Sequence, residues 1–285
     1  MTVCITGDVH HMSLGTRDQE YMDRTEVEVA IEYAEIAAEH DVPVTLFCTG
    51  KCAVEEPDRI RELAAMENVE IGGHNFYAFD TPVHKGWRAL EKLTGGRVGS
   101  WNGPWRFQSW EIGKTIAAFE ELGIEITSWR DHAYRHDRHT AALLADRGIT
   151  HLSDAVGPDK RVRGEDGLTV VPINTPPDHE HVYHAFRQSD SEAVRTFEGP
   201  FGAESMNPAD WAEWVLEHVD SIRDIATILG HPACLWLADE FETFADLCKA
   251  VQDRESIPVS AVLAGSAVTT DRSGSQAGPH QATNQ

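Results

Sequence analysis

Lysine is scarce in this 285-residue chain: Lys51, Lys85, Lys92, Lys114, Lys160 and Lys249 are the only ones. Lysine and arginine together number 24 against 47 aspartates and glutamates, so the formal net charge is −23. The surplus is spread along the whole chain and is not gathered into a tail. Nucleic acid is therefore excluded as an expected partner, because binding phosphates requires clustered cations. An evenly acidic, lysine-poor surface suits a halophilic protein from a high-salt interior, where salt screens self-repulsion. An ordinary acidic enzyme is the alternative.

Long apolar runs are also missing. No stretch approaches the roughly 18 apolar residues of a membrane span, so no membrane partner is expected. The first residues lack a basic segment followed by an apolar one, which predicts no secretory signal and a cytoplasmic location. The cysteines, Cys4, Cys48, Cys52, Cys234 and Cys248, are odd in number and irregular in spacing, which predicts reduced thiols. Cys48 and Cys52 lie four apart, but no second pair completes a cysteine zinc site. Cys4 and Cys48 sit in apolar runs and read as small core residues. Hydrophobic residues make up 41% of the chain, enough for a large globular core.

Residues 3–10, Val3-Cys4-Ile5-Thr6-Gly7-Asp8-Val9-His10, are the most informative stretch. Val3 to Thr6 reads as a short buried strand ending at Gly7. A carboxylate and the imidazoles of His10 and His11 follow at once. In α/β folds such groups sit at the carboxyl rim of the sheet, where active sites form. Asp8 and His10 are therefore read as the first half of a divalent-metal site; a strand followed by a solvated polar turn is the plain alternative.

The remaining chain alternates strand and helix. A helix is expected from Thr25 to His40, a strand over Val44–Cys48 closed by Thr49-Gly50, a helix over Glu56–Met66 and a strand over Val69–Ile71 running into Gly72-Gly73-His74. Residues 80–108 read as an irregular insertion rich in tryptophan and glycine, placed as one wall of a pocket. A helix over Ile112–Leu122 follows, then a strand over Ile124–Trp129 ending at Arg130-Asp131-His132. Further elements are a helix over Thr140–Arg147, strands over Ile149–Leu152 and Leu168–Ile173, a helix over Pro208–Asp224, a strand over Ala226–Leu229 ending at Gly230-His231-Pro232, and a helix over Phe241–Val251. Residues 1–264 are expected to form one domain and 265–285 a disordered tail. The repeat is that of βαβ units and implies a parallel sheet or barrel. Aspartate, histidine or arginine recurs where the strands end, and parallel strands bring their ends together.

At these motifs the chain resembles the polysaccharide deacetylases, the NodB-homology group related to carbohydrate esterase family 4. Val42-Pro43-Val44-Thr45-Leu46-Phe47-Cys48-Thr49-Gly50 is similar to that family's second strand, and Glu70-Ile71-Gly72-Gly73-His74 to the approach to its metal-binding histidine. Trp129-Arg130 followed by Tyr134, Asp137 and Thr140-Ala141-Ala142-Leu143-Leu144 is similar to its arginine motif, and Leu229-Gly230-His231-Pro232 to its late histidine motif. The resemblance spans about residues 2–252. It implies a distorted (β/α) barrel of about seven parallel strands and a metal-dependent hydrolase of carbon–nitrogen bonds other than peptide bonds.

By that resemblance Asp8 is the catalytic base, His231 the acid and Arg130 the partner that holds Asp8 through a bidentate pair. Asp8, His10 and His74 are the implied metal ligands, with zinc the first choice and cobalt, nickel or manganese the others. Trp105, Tyr134 and His132 are placed against substrate. The chain departs from the family at three points, one of them Asp131-His132 where prolines are usual in the arginine motif. His10 stands where an aspartate is usual, and Ala78 stands where a second histidine is usual. Either Asp8 itself then binds the metal, or Asp80 or His84 swings in from the insertion. The cluster Asp178-His179-Glu180-His181 with His184, and the pairs His10-His11 and Asp131-His132, read mostly as solvated loop, with one of them available to supply the missing ligand or contact substrate. The expected partner is a small-molecule or oligosaccharide substrate, and the oligomeric state is left open, a homo-oligomer included. Three functions compete: N-deacetylation of an N-acetylated sugar in carbohydrate metabolism, opening of a non-sugar amide by an allantoinase-like or imidase-like relative, and glycan binding by a degenerate member.

Overall fold

A computed structural model describes residues 1–189 and 199–264. The expected tail, 265–285, lies outside the described residues. Strand β1 (Thr2–Val9) is buried along nearly its whole length, and its neighbours on either side run parallel to it. Gly7 does not end it. A Cβ at Gly7 would lie 2.9 Å from the carbonyl oxygen of Gly230, so the glycine lets a neighbouring strand end cross close by while β1 continues. Asp8 therefore projects from within the strand, in register with Phe47.

Helix α1 (Glu26–Ala38) begins at a reciprocal capping box, in which the Thr25 side chain accepts from the Glu28 backbone and Glu28 returns the bond to Thr25. Strand β2 (Val44–Thr49), short helices α2 (Gly50–Glu55) and α3 (Pro57–Ala64) and strand β3 (Val69–His74) follow. Helix α4 (Pro82–Thr94) corrects the reading of residues 80–108 as irregular. Thr81 caps it, Pro82 starts it and Gly95 closes it in the left-handed region, which are standard boundary signals that the surrounding tryptophans and glycines masked. Helix α5 (Trp105–Glu120) starts seven residues earlier than its apolar periodicity suggests.

The chain then runs through β4 (Ser128–Arg130), α6 (Thr140–Ala145), β5 (His151–Leu152), β6 (Arg163–Glu165) and β7 (Leu168–Val170). Helices α7 (Asp178–His181), α8 (Ala185–Ser189) and α9 (Pro208–Ser221), strand β8 (Ile225–Leu229), helices α10 (Pro232–Asp239) and α11 (Glu242–Val251) and strand β9 (Glu255–Ser256) complete it.

The strand order is β6-β7-β5-β4-β3-β2-β1-β8, with β9 added beside β1. All pairs are parallel except β6 with β7. The fold is thus the expected distorted barrel, with two short strands beyond the seven parallel ones read from sequence. The seam between β7 and β8 is bridged by side chains that imitate a strand. Asn174 Oδ1 accepts from the Thr227 backbone N–H at 2.8 Å and Asn174 Nδ2 donates to the Ile225 carbonyl at 2.9 Å. Thr175 Oγ1 donates to the Thr227 carbonyl at 2.9 Å.

Trp129, Trp211, Phe47 and Phe119 are among the largest fully buried side chains, and Tyr33 stacks on Phe244 at 3.7 Å between centroids. Full burial of one such apolar side chain contributes about 1.5–3 kcal/mol. This packing holds the carboxyl ends of β1, β3, β4 and β8 in fixed relation. All five cysteines are free and buried.

Candidate functional site

His10 follows β1 directly, His74 is the last residue of β3, and His132 lies two residues beyond β4. Since β3 and β4 are neighbours with His74 opposite Arg130, their rings meet. His132 Nδ1 lies 3.1 Å from His10 Nε2 and 3.3 Å from His74 Nε2. Nitrogens bound to one tetrahedral zinc-like ion at about 2.0–2.1 Å would lie about 3.3 Å from one another. The three imidazoles therefore fit a divalent cation.

The outer nitrogens of two rings are already engaged, which turns their inner lone pairs to the centre. His74 Nδ1 donates to the Arg130 carbonyl at 2.6 Å. His10 Nδ1 lies 3.1 Å from Glu26 Oε2, and the same oxygen accepts the His10 backbone N–H at 2.8 Å. Such outer partners fix the orientation of metal-binding histidines. Glu26 opens α1, is buried, and accepts from Gln19 Nε2 through its other oxygen at 2.7 Å.

Burial pushes the His74 imidazole down to about 3, with the charge of His10 acting the same way against the pull of Asp8. Burial, then His10 and His74, hold His132 well below the usual imidazole range. His10 goes the other way: burial lowers it, but Glu26 outweighs that and raises it.

No group from the 80–108 segment takes the place of the histidine absent at position 78; the third converging imidazole is that of His132, two residues beyond β4. Ala78 and Phe79 both adopt positive φ, 45° and 61°, so the chain turns sharply there. Phe79 packs its ring edge-on to His132 at 5.6 Å. Asp80 is exposed and paired with Lys85, while His84 is buried against Glu111 at 3.2 Å. Neither reaches the centre.

Asp8 is not one of the three converging groups. Its Oδ1 accepts from Arg130 Nη1 at 2.8 Å, and its Oδ2 faces His231 Nε2 at 3.7 Å. Arg130 is fully buried, but its grip on Asp8 is single, not bidentate. Its other nitrogens bind Thr6 Oγ1 at 3.0 Å, Ser153 Oγ at 2.8 Å and the Ser153 carbonyl at 3.0 Å. Burial alone would raise the Asp8 carboxyl, but Arg130, His74 and His231 hold it well below the usual carboxylate range.

His231 stands at the end of β8 and is held by Asp178. Asp178 Oδ1 lies 2.7 Å from His231 Nδ1, and Asp178 Oδ2 accepts the His231 backbone N–H at 2.7 Å. Burial opposes the charged imidazole, yet Asp178 outweighs it and His231 is pushed up to about 9. Sequence reasoning missed Asp178 and Glu26 as site residues. The cluster beginning at Asp178 is no solvated loop: Asp178, His181 and His184 are fully buried.

A cavity of about 570 Å³ opens over this arrangement and is lined by Asp8, His10, His132, Tyr134, His179 and His231, among others. Tyr134 stands where a substrate contact is expected. It follows Ala133, and both hold positive φ, 54° and 57°. Trp105 is a correction. It is half-exposed at the start of α5, beside Arg106, and does not line the cavity. The 80–108 segment forms no wall of it either. That segment buttresses the wall, with Trp101 beneath Arg135 at 4.4 Å.

No family model matches the sequence, and no match is found among curated proteins. Solved structures do match. A protein from Mycobacterium smegmatis classed with the polysaccharide deacetylases aligns over 90% of this chain and 86% of its own, at 20% identity and a TM-score of 0.63. The Puue allantoinase aligns over 90% and 87%, at 12% identity and a TM-score of 0.56. A pseudoenzyme of carbohydrate esterase family 4 from Bacillus anthracis aligns over 91% and 64%, at 12% identity and a TM-score of 0.51. The chain shares the fold of these proteins. Among the described residues no helix is long and apolar enough to cross a membrane.

Proposed function

We propose that this chain is a divalent-metal-dependent hydrolase of a carbon–nitrogen amide bond, and that its substrate is an N-acetylated sugar. One observation carries the reading: three imidazole nitrogens converge beside Asp8, whose remaining oxygen faces a histidine held by a second carboxylate. His10, His74 and His132 would hold the ion. When bound, a divalent cation supplies Lewis acidity toward a carbonyl oxygen and raises the acidity of water.

Amide hydrolysis also needs a proton taken from the attacking water and one given to the leaving amine. Asp8 Oδ2 is the acceptor. Arg130 keeps it ionised and fixed, so it orients water strongly even though it is a weak base. His231 Nε2 is the donor. Asp178 keeps that imidazole protonated at neutral pH, so the leaving nitrogen departs as a neutral amine. Tyr134 offers an aromatic side chain to the substrate from the cavity wall.

Arg17 and Arg135 also line the cavity, which favours a second reading, a non-sugar amide that carries a carboxylate or ureido group. The degenerate, glycan-binding reading has Ala78 as its main support, and the third imidazole offered by His132 weighs against it. Incubating the metal-loaded protein with N-acetylated sugars and measuring released acetate tests the first reading. Release of acetate supports it. No acetate, but turnover of cyclic amides, moves the assignment to the second. No turnover of either class refutes hydrolysis.

A further inference from the structure

Beyond the three-histidine centre, we infer that Asp18, His179, His184 and Cys234 form a second divalent-metal site beside His231, whose ring centroid lies 5.4 Å from that of His179. The four side chains come from separate places: a loop after β1, α7, the turn after α7, and the first turn of α10. They offer one carboxylate oxygen, two imidazole nitrogens and one sulfur, all within 4.8 Å of one another.

The spacing is close to that of ligands sharing one ion. His179 Nδ1 lies 3.4 Å from Cys234 Sγ and 3.8 Å from Asp18 Oδ2. Cys234 Sγ lies 3.7 Å from Asp18 Oδ2, and His184 Nε2 lies 3.4 Å from Asp18 Oδ1. Tetrahedral edges between nitrogen, oxygen and sulfur ligands of a zinc-like ion run about 3.3–3.6 Å. Good nitrogen–oxygen hydrogen bonds are shorter, about 2.7–3.2 Å.

A second observation points the same way. His184 is completely buried, yet neither of its ring nitrogens makes a hydrogen bond, and Asp18 Oδ1 makes none. Leaving buried polar atoms unsatisfied is costly and rare, so a native site of this kind calls for a ligand. The loop that carries both histidines is pinned by Arg187, which donates to the Val182 carbonyl at 2.9 Å and to the His179 carbonyl. Asp178 and His231 are taken up with one another, so the Cys234 sulfur is left to His179 and Asp18.

Coordination breaks the S–H bond of Cys234 and releases its proton to solvent. The thiolate and the Asp18 carboxylate together balance the two charges of the ion. A soft sulfur beside imidazoles selects a zinc-like or cobalt-like ion over magnesium or calcium. The substrate cavity touches both centres, since His10 and Cys234 both line it. The inference stands apart from the hydrolase reading, because the site is defined by its own ligands.

Cobalt(II) chloride titrated into the reduced full-length protein tests it. Of the two centres this one has sulfur and the three-histidine centre has none, so a thiolate-to-cobalt charge-transfer absorption in the near ultraviolet tells them apart. We expect that absorption in the wild type and in His74→Ala, and its loss with one bound cobalt in Cys234→Ser. Circular dichroism checks folding; if Cys234→Ser is unfolded, His184→Gln is read instead, with the same loss of one cobalt expected. Wild type saturated with cobalt but lacking the absorption, or an absorption that survives in Cys234→Ser, would overturn the site. Failure of the three-histidine centre would show differently, as wild type and His74→Ala binding equal cobalt.

Discussion

One oxygen of Glu26 accepts both the backbone N–H of His10, at 2.8 Å, and its ring, at 3.1 Å. The carboxylate thereby sets the direction of an imidazole it does not itself replace. Removing the charge while keeping the shape should leave the three rings near one another but loosely aimed. Glu26→Gln should weaken metal binding about 10–100-fold, measured by competition with a chromogenic chelator. An unchanged affinity would mean that His10 is not a ligand.

The pair Asp178–His231 makes a prediction about pH. The folded-state pKa of His231 is raised, so its protonated form persists up to about pH 9. Activity that needs this acid should hold below that pH and fall above it. The stabilisation that the pair gives is fully present below the unfolded imidazole value of about 6.5 and is lost as pH rises through about 9. Asp178→Asn should move the alkaline limb of kcat/KM down toward about pH 6.5. A limb that stays in place would remove His231 from the acid role.

Arg130 and Asp8 form a fully buried ion pair joined at 2.8 Å. Breaking it by Arg130→Met leaves a carboxylate unpaired in the core and should cost about 3–5 kcal/mol in denaturant unfolding. Arg130→Met combined with Asp8→Asn should recover part of that loss, which a double-mutant cycle reads directly. Additive losses would show that the two side chains do not act on one another.

Asp8→Asn alone separates binding of the ion from use of the water. Asp8 lies outside the three converging nitrogens, so the metal content should be retained. Turnover should fall about a hundredfold to ten-thousandfold. Loss of metal together with activity would place Asp8 back among the ligands.

The alternation of strand and helix and the polar strand ends were open to sequence reading, because apolar β-branched runs such as Val44–Thr49 repeat and glycines punctuate them. Asp8, His74, Arg130 and His231 could be singled out for the same reason. His132 could be named only as a substrate contact and as one of several imidazoles able to supply the missing ligand. Its role depends on β3 and β4 being neighbours, and position 132 lies outside the spacing of the motif whose histidine is lost at Ala78. Asp178 was hidden by its company, since four consecutive polar residues read as solvent-facing until tertiary packing buries them. Glu26 looked like an ordinary first-turn acid of α1. Helix α4 was concealed by the tryptophans and glycines around it, although Thr81-Pro82 and Gly95 marked both of its ends.

The proposed metal centre rests on His10, His74 and His132. Elemental analysis tests it most directly, on wild type and His74→Ala purified side by side in high salt without chelators or an affinity tag. His74→Ala, with an unchanged circular dichroism spectrum, should carry one divalent ion per chain fewer than wild type. Equal metal contents in the two proteins, or none taken up by wild type on addition, would contradict it.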